Sequence, residues 1–349
     1  MIRLLPLLLA LSACKHAEEV PTSLDVKVVT WNVGNGNDEE PHYPLRLSYT
    51  LYEDYVAAQL QALDADVIAL QEVLPRQTCE AFTEEDPSRT CYGYETAEDA
   101  AARLVGPGYS VVCDARQHVE CVAIRASLGA IRGLELEGYD AEGAETPPLP
   151  LPSCVYADGA CGKDLCDAES TVSAVTVDTE HGPLRVVHGH PNASGMGDRG
   201  FFTGEECRAL QLEQIFEGID GEPALVAGYD RVVVLGDMNY DVDSPVQGED
   251  EVAVWQRNVG PVFTAHDPVD EDGEAYHTLR TFPLAIDHVL SLGATGTCEV
   301  MGQNGFDPDP DTEALDAGFD FAGVGLTADS VDRIDHFAVV CSLSFPLER

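Results

Sequence analysis

Residues 232–239 read VVVLGDMN, and this stretch decides how the rest of the chain is interpreted. Its first four residues are apolar and mostly β-branched, which predicts a short, buried strand. Gly236 and Asp237 follow at the end of that strand, and Asn239 lies two residues further on. A carboxylate and an amide on the rigid end of a buried strand are typical of a functional site.

The same design recurs at five other places along the chain. A buried strand predicted over 26–31 ends at Asn32, and another over 67–70 ends at Gln71-Glu72. The remaining three stretches are His188-Gly189-His190, Ile286-Asp287-His288 and Ile334-Asp335-His336. One polar residue at a strand end means little, but six in this order predict a single site.

The pattern of apolar residues also predicts the fold. Helical spacing is found at 49–63, 97–104 and 205–217, and a hairpin turn is predicted at 180–183. Further short strands are predicted at 110–113, 119–124, 172–177, 184–188, 288–292 and 337–343. Many strands with few helices favour an α/β architecture of two packed, mixed or mostly antiparallel sheets flanked by helices.

These motifs, taken together, resemble the endonuclease/exonuclease/phosphatase superfamily. The resemblance is carried by Trp31-Asn32, Gln71-Glu72, Gly236-Asp237-Met238-Asn239 and Asp335-His336, and it extends over about 26–343. The superfamily includes pancreatic-type deoxyribonucleases, abasic-site endonucleases, bacterial sphingomyelinases and inositol-phosphate phosphatases. It implies a four-layer α/β sandwich and the hydrolysis of phosphate esters.

Phosphoester hydrolysis requires a metal ion that neutralises anionic oxygens. Mg²⁺ prefers oxygen ligands and needs only one or two carboxylates, and Mn²⁺ or Ca²⁺ could replace it. Glu72 is the first candidate ligand. The resemblance adds Asn32 beside it and Asp335 as a direct or water-mediated ligand.

The resemblance also implies roles for five catalytic residues. His336 would activate the attacking water, and Asp287 would orient its ring and make it more basic. Asp237 would orient the nucleophile or hold a proton, and Asn239 would donate to a phosphate oxygen. His190 would donate to the phosphate or to the leaving oxygen when it is protonated.

Several neighbouring residues are weaker candidates. His188 is expected to be a packing residue on the other face of its strand from His190. His288 is a rival to Asp287, although the family motif favours the aspartate. A basic pocket for a small phosphate could use Arg125, Arg199, Arg208 and Arg280.

Three positions depart from the family pattern. Gly34 lies where abasic-site endonucleases have an acidic residue, which weakens the interpretation as a repair enzyme. Ile334 replaces a frequent serine and Ala338 a frequent proline, and neither change removes a catalytic side chain.

The charge of the chain limits its partners. A formal net charge of -43 and only three lysines, Lys15, Lys27 and Lys163, argue against tight binding to a polyanion, although high salt would screen the repulsion. We expect a phosphodiesterase or nuclease with nucleic acid or phospholipid headgroups as substrate, and no protein partner. The alternatives are a sphingomyelinase- or phospholipase C-like enzyme, a small-molecule phosphatase, or a catalytically silent surface-binding lipoprotein.

The N-terminus predicts export and a lipid anchor. Residues 1–13 combine Arg3, an apolar run and small residues before Cys14, as in the signal peptides of bacterial lipoproteins. We expect Cys14 to be lipidated, 14–24 to form a tether, and 25–349 to be one catalytic domain outside the cytoplasm, held at the bacterial cell envelope. The alternative is an ordinary cleaved signal peptide.

The other ten cysteines agree with an oxidising compartment. Proximity suggests Cys79 with Cys91 and Cys113 with Cys121, and two late strands suggest Cys298 with Cys341. The segments 75–94 and 138–170 are predicted to be surface loops.

Overall fold

The computed structural model describes residues 21–34, 50–73, 80, 92, 94, 96–113, 119–132, 171–191, 203–219, 223–242, 247–269, 275–278, 284–301 and 336–347. The strands are β1 (Ser23–Asn32), β2 (Val67–Val73), β3 (Tyr109–Cys113), β4 (Val119–Arg125), β5 (Gly129–Ile131), β6 (Thr171–Thr179), β7 (Gly182–His190), β8 (Val232–Asp237), β9 (Thr264–Ala265), β10 (Asp287–Leu292), β11 (Thr295–Val300) and β12 (Val339–Pro346). The helices are α1 (Thr50–Leu63), α2 (Ala97–Val105), α3 (Thr203–Phe216) and α4 (Glu249–Asn258). None of the described helices has the length and apolar character needed to cross a membrane.

The strands form two six-stranded sheets. Their orders are β11-β12-β1-β2-β4-β3 and β5-β6-β7-β8-β10-β9. Each sheet has one parallel pair at its centre, β1 with β2 and β7 with β8, and the other described pairs are antiparallel. The predicted mixed, mostly antiparallel sheets are therefore confirmed.

Three apolar clusters separate the layers. The middle cluster joins both sheets and includes Val28 and Val186. A second cluster packs the first sheet against α1 and α2 around Trp31, and a third packs the second sheet against α3 and α4 around Trp255. Alternate residues of each central strand face opposite clusters, as Val28 and Val29 do. The result is the predicted four-layer sandwich.

Several local predictions need correction. β1 begins at Ser23, where it pairs with Pro346, so the tether predicted over 14–24 loses its last two residues to the sheet. The sequence did not predict β5, β9, β11 and α4. β11 lies at a sheet edge and is largely exposed, and the acidic α4 sequence lacks a clear apolar repeat.

The predicted hairpin and two predicted disulfides are confirmed. Thr179 pairs with Gly182 across the turn between β6 and β7. The described disulfides include Cys113–Cys121 between β3 and β4 and Cys298–Cys341 between β11 and β12. The suggested pair Cys79–Cys91 lies outside the described residues, as does most of both predicted surface loops.

Candidate active site

The ends of the two parallel strand pairs meet at one edge of the sandwich. β1 ends at Asn32, and Glu72 is the next-to-last residue of β2, while β7 and β8 end at His190 and Asp237. The Asn32 Nδ2 group joins the two sheets, because it donates at 3.0 Å to both Glu72 Oε1 and Asp237 Oδ2. Since Asn32 and Asp237 are almost fully buried, this polar link lies inside the sandwich.

Glu72 reaches this link because β2 is irregular at its end. The register with β4 shifts between Leu70 and Val73, and Glu72 has a φ of 59°. In a regular strand Glu72 would share a face with Leu70, which packs toward the helices. A bulge redirects a side chain, and positive φ costs energy for a residue other than glycine, so this conformation is typical of a functional position.

The glycine of the GDMN motif allows β7 and β8 to approach closely. A Cβ on Gly236 would lie 2.0 Å from the Gly189 carbonyl oxygen, so only glycine fits. Beyond the strand, Asn239 has a φ of 48°; its backbone N–H donates to Asp237 Oδ1 at 2.9 Å and its side-chain Nδ2 to the Pro191 carbonyl at 2.9 Å. The second Nδ2 hydrogen is the one left for an anionic ligand.

His336 and Asp287 form the buried acid–imidazole pair that the motifs predict. His336 Nδ1 lies 2.9 Å from Asp287 Oδ2, and its Nε2 lies 3.5 Å from Asp237 Oδ2. Burial raises the pKa of Asp287, and the nearby His336 ring opposes that rise. With Nδ1 occupied by the carboxylate, Nε2 is the nitrogen available to exchange a proton.

Two further residues hold this pair in place. The Trp31 indole N–H donates to the His336 carbonyl at 3.0 Å, which explains the tryptophan before Asn32. The backbone N–H groups of Ile286 and Asp287 donate to Thr278 Oγ1 at 3.1 Å each. The sequence contains no signal that would have selected Thr278.

His190 lies among three carboxylates, one of which the sequence analysis missed. Its Nε2 is 3.5 Å from Asp237 Oδ2 and 3.9 Å from Glu72 Oε1, and its Nδ1 is 3.4 Å from Glu120 Oε1. The last contact is close but not aligned as a hydrogen bond. Burial lowers the pKa of His190, but the carboxylates, with Glu120 first, outweigh it and raise the pKa to about 9. The ring is therefore protonated at neutral pH.

Glu120 could have been found in the sequence, because it is a charged residue inside an otherwise apolar strand. It stands between Val119 and Cys121 in β4 and is fully buried, and its neighbours on the same face, Val122 and Ile124, pack between the sheets. A buried carboxylate is costly without a partner, so its position predicts a cation or a donor beside it.

The structure corrects the face predicted for His188 and agrees with the preference for Asp287 over His288. His188 lies on the same face of β7 as His190, because residues two apart in a strand face the same way, and Leu184 and Val186 of that face pack between the sheets. It is nevertheless buried, and burial lowers its pKa to about 4, so it is neutral. His288 faces away from Asp287, toward Trp255.

The prediction of a phosphate-binding role is wrong for two of the four suggested arginines. Arg125 contacts Asp64 and Asp66 before the start of β2, at the opposite end from Glu72. Arg208 forms a buried pair with Glu251 between α3 and α4. Arg199 and Arg280 lie outside the described residues.

The donor groups at this edge fit a divalent cation. Glu72, Glu120, Asp237 and Asp287 supply four carboxylates, while His190 and His336 supply two imidazoles. Within this described set, four carboxylates carry more negative charge than two protonated rings can balance, and a divalent cation would compensate the difference. Asp237, Asp287 and His336 also bring one ligand atom each within 4.8 Å of one another, a group that could hold a metal ion.

The structure thus brings together seven of the predicted site residues, which are Asn32, Glu72, His190, Asp237, Asn239, Asp287 and His336. Asp335 and Cys14 lie outside the described residues, so their predicted roles stay predictions.

Known structures share this architecture. An endonuclease/exonuclease/phosphatase from Bacteroides vulgatus is 17% identical with a TM-score of 0.52, over 93% of this chain and 100% of that chain. ANGEL2, a 2',3'-cyclic phosphatase, is 11% identical with a TM-score of 0.52, over 93% and 96%. D. rerio TDP2, complexed with single-strand DNA product, is 11% identical with a TM-score of 0.50, over 91% and 98%. No protein-family model and no curated protein sequence matches the chain. The chain therefore has the endonuclease/exonuclease/phosphatase fold.

Proposed function

We propose that this chain is a divalent-metal-dependent phosphodiesterase that acts outside the cytoplasm. The observation that carries the proposal is the meeting of Glu72, Asp237, His190 and the Asp287–His336 pair at one edge of the sandwich. Carboxylates, a charged imidazole and a carboxylate-bound imidazole are the groups that hydrolysis of a phosphate ester needs.

Glu72 would hold the metal ion, with Asn32 beside it and Asp335 as a further predicted ligand. Glu72 suits this role because its strained backbone directs a carboxylate into the polar link between the sheets. A bound Mg²⁺ or Mn²⁺ would supply charge neutralisation of the phosphate oxygens.

His336 would take the proton from the attacking water. Its Nδ1 is bound to Asp287, so Nε2 accepts the proton, and the buried carboxylate stabilises the imidazolium that forms. Asp237 lies 3.5 Å from that nitrogen and would orient the water. Hydrogen bonds hold both groups in place: Trp31 donates to the His336 carbonyl and Asn32 to the Asp237 carboxylate.

His190 and Asn239 would bind the phosphate side of the substrate. His190 is protonated at neutral pH and would donate to a phosphoryl oxygen or to the leaving oxygen. Asn239 has one amide hydrogen left beside its bond to Pro191, and it adds no negative charge to an already acidic site.

The substrate class is supported by the structural neighbours and restricted by charge. ANGEL2 is a 2',3'-cyclic phosphatase and TDP2 holds a single-strand DNA product, so related sandwiches act on phosphoesters of nucleotides. A net charge of -43 opposes long-range attraction of a polyanion. We therefore place nucleic acid at high ionic strength and phospholipid headgroups first among the candidates.

The decisive experiment compares bis-p-nitrophenyl phosphate with the monoester p-nitrophenyl phosphate, in Mg²⁺, Mn²⁺ or EDTA. Wild type, Glu72→Ala and His336→Ala are assayed beside Asp178→Ala, an exposed carboxylate paired with Arg132 away from the site. We expect metal-dependent diester cleavage that both site variants lose and the control keeps. No turnover by the wild type, with no metal binding, would favour a silent binding protein.

A second panel separates the natural substrates. DNA, RNA and sphingomyelin vesicles are each incubated with the enzyme at low and high salt. Cleavage of sphingomyelin alone would assign a phospholipase C-like activity, whereas cleavage of p-nitrophenyl phosphate alone in the first experiment would assign a phosphatase. If all three substrates stayed intact, this substrate list would be wrong.

The proposed location rests on Cys14 and the apolar run before it. Metabolic labelling with palmitate in a bacterial host tests it directly: label in the wild type and none in Cys14→Ser supports a lipid anchor. Release of unlabelled wild-type protein into the medium would instead support an ordinary cleaved signal peptide.

A further inference from the structure

His288 is a buried histidine that the proposed reaction does not use. Its Nδ1 lies 2.8 Å from Asp267 Oδ1, and its Nε2 lies 2.7 Å from the Tyr240 carbonyl oxygen. A carboxylate and a carbonyl can only accept hydrogen bonds, so both ring nitrogens must donate. The geometry therefore requires the imidazolium form, held in one orientation by two partners from different loops.

His288 and Tyr240 belong to a buried cluster of three rings. The Tyr240 ring stacks on Trp255 with centroids 4.5 Å apart, and Trp255 contacts the His288 ring with centroids 4.9 Å apart. His288, Tyr240 and Trp255 are all buried on the α4 side of the second sheet. This three-ring cluster fixes both the side chain and the carbonyl of Tyr240.

Tyr240 belongs to the segment that carries two proposed active-site groups. It is the third residue after Asp237 and directly follows Asn239, whose φ of 48° is unfavourable for a residue with a Cβ. A strained residue persists only where its surroundings determine its conformation. The nearest fixed points beyond Asn239 are the Tyr240 carbonyl, bound by His288, and Asp241 Oδ2, which accepts from the Ala285 N–H at 3.2 Å.

We propose that His288 is a positioning residue of the phosphoesterase site. By donating to Asp267 and to the Tyr240 carbonyl, it keeps the segment 237–241 in the conformation that directs Asp237 and Asn239 toward the substrate. The inference rests on the proposed function, but its structural half can be tested without activity.

The test compares His288→Phe with two other variants. Phenylalanine keeps the ring against Trp255 and removes both donors. Asp267→Asn is the conservative partner: the asparagine amide can donate to Nδ1, so a neutral ring still donates through Nε2 to Tyr240. His266→Phe is the matched control, because His266 is also buried and lies 2.8 Å from Ser291 Oγ, outside the segment in question.

Two readouts are taken on the full chain. With Mg²⁺ and bis-p-nitrophenyl phosphate, we expect His288→Phe to lower kcat about tenfold with less than a threefold change in KM, because about 1.4 kcal/mol of transition-state stabilisation corresponds to that factor. In hydrogen–deuterium exchange, we expect the peptide covering 237–242 to exchange about tenfold faster. Asp267→Asn should stay within threefold of wild type in kcat, and His266→Phe should change neither readout.

The outcomes distinguish this inference from the proposed function. Unchanged exchange of 237–242 in His288→Phe, or an equal loss of kcat in His266→Phe, would overturn the positioning role. If the wild type cleaves no phosphoester, the proposed function fails on its own, while exchange still decides whether His288 holds the segment. If His288→Phe does not fold, His288→Asn replaces it and is judged by the same two readouts.

Discussion

Replacing Asp287 by asparagine should remove most of the activity while leaving the fold intact. The carboxylate is buried and accepts from His336 Nδ1 at 2.9 Å. In the proposed reaction His336 becomes charged, and the neutral amide no longer stabilises that charge. With about 4 Å between the charge centres and an effective dielectric constant of about 20, the lost attraction is about 4 kcal/mol. This corresponds to about three decades in kcat.

The assay is the initial rate of bis-p-nitrophenyl phosphate cleavage in saturating Mg²⁺ at neutral pH. We expect KM to change little, because Asp287 acts on the base and not on the substrate. Asp178→Asn makes the same chemical change at an exposed carboxylate paired with Arg132 and should retain wild-type kcat. A loss of less than threefold in folded Asp287→Asn would refute the assignment of His336 as the base supported by Asp287.

Four further predictions follow from the same structure. Glu72→Gln should raise the Mg²⁺ concentration for half-maximal activity by at least about tenfold in a metal titration, since weakening a ligand weakens the site; an unchanged value would place the metal elsewhere. Burial lowers the pKa values of His190 and His288, but their carboxylate partners outweigh it and raise both to about 9. The unfolded value is about 6.5, so this stabilisation is fully present below about pH 6.5 and is lost as the pH rises through about 9; urea unfolding at pH 6, 7.5 and 9.5 should show a falling midpoint. Raising NaCl from about 0.1 M to about 1 M shortens the Debye length from about 10 Å to about 3 Å, and with a net charge of -43 the melting temperature should rise; a fall in calorimetry would contradict this. Replacing Cys298 and Cys341 together by serine opens a link of sequence separation 43 and should lower the free energy of unfolding by about 4 kcal/mol, as measured by denaturant unfolding.

The sequence predicted the parts of the fold that depend on local patterns. Buried strands such as β8 have continuous apolar sequences, and their polar ends lie at the edge that holds the candidate active site, as at Asp237. These ends meet because each sheet has a parallel pair at its centre, which places two strand termini side by side. The order of motifs was therefore sufficient to predict that these residues lie close together.

The missed features depend on contacts between distant residues. The contact between Glu120 and His190 joins the two sheets, and it is visible only once β4 is placed beside β7 in the fold. Thr278 acts through backbone bonds to Asp287, and no pattern in the sequence indicates such a contact. Arg125 could have bound phosphate by its side-chain type, but it lies at the end of β4 away from the candidate site. The sequence does not show which end of a strand faces the site. His188 shares the face of His190, because residues two apart in a strand face the same way.

The positions of the positively charged side chains matter for the binding of an anionic substrate by so acidic a chain. Arg125, Arg132 and Arg257 form ion pairs with acidic residues outside the catalytic edge, so they are committed to local charges. Among the described residues, the positive charge at the edge itself comes from His190. In the proposed reaction, the carboxylates around that histidine would oppose an approaching phosphate until a divalent cation compensated them. Metal binding and substrate binding should therefore be strongly coupled, with the apparent KM for a phosphodiester falling steeply as Mg²⁺ rises. A KM independent of Mg²⁺ would mean that other cations supply the charge at this edge.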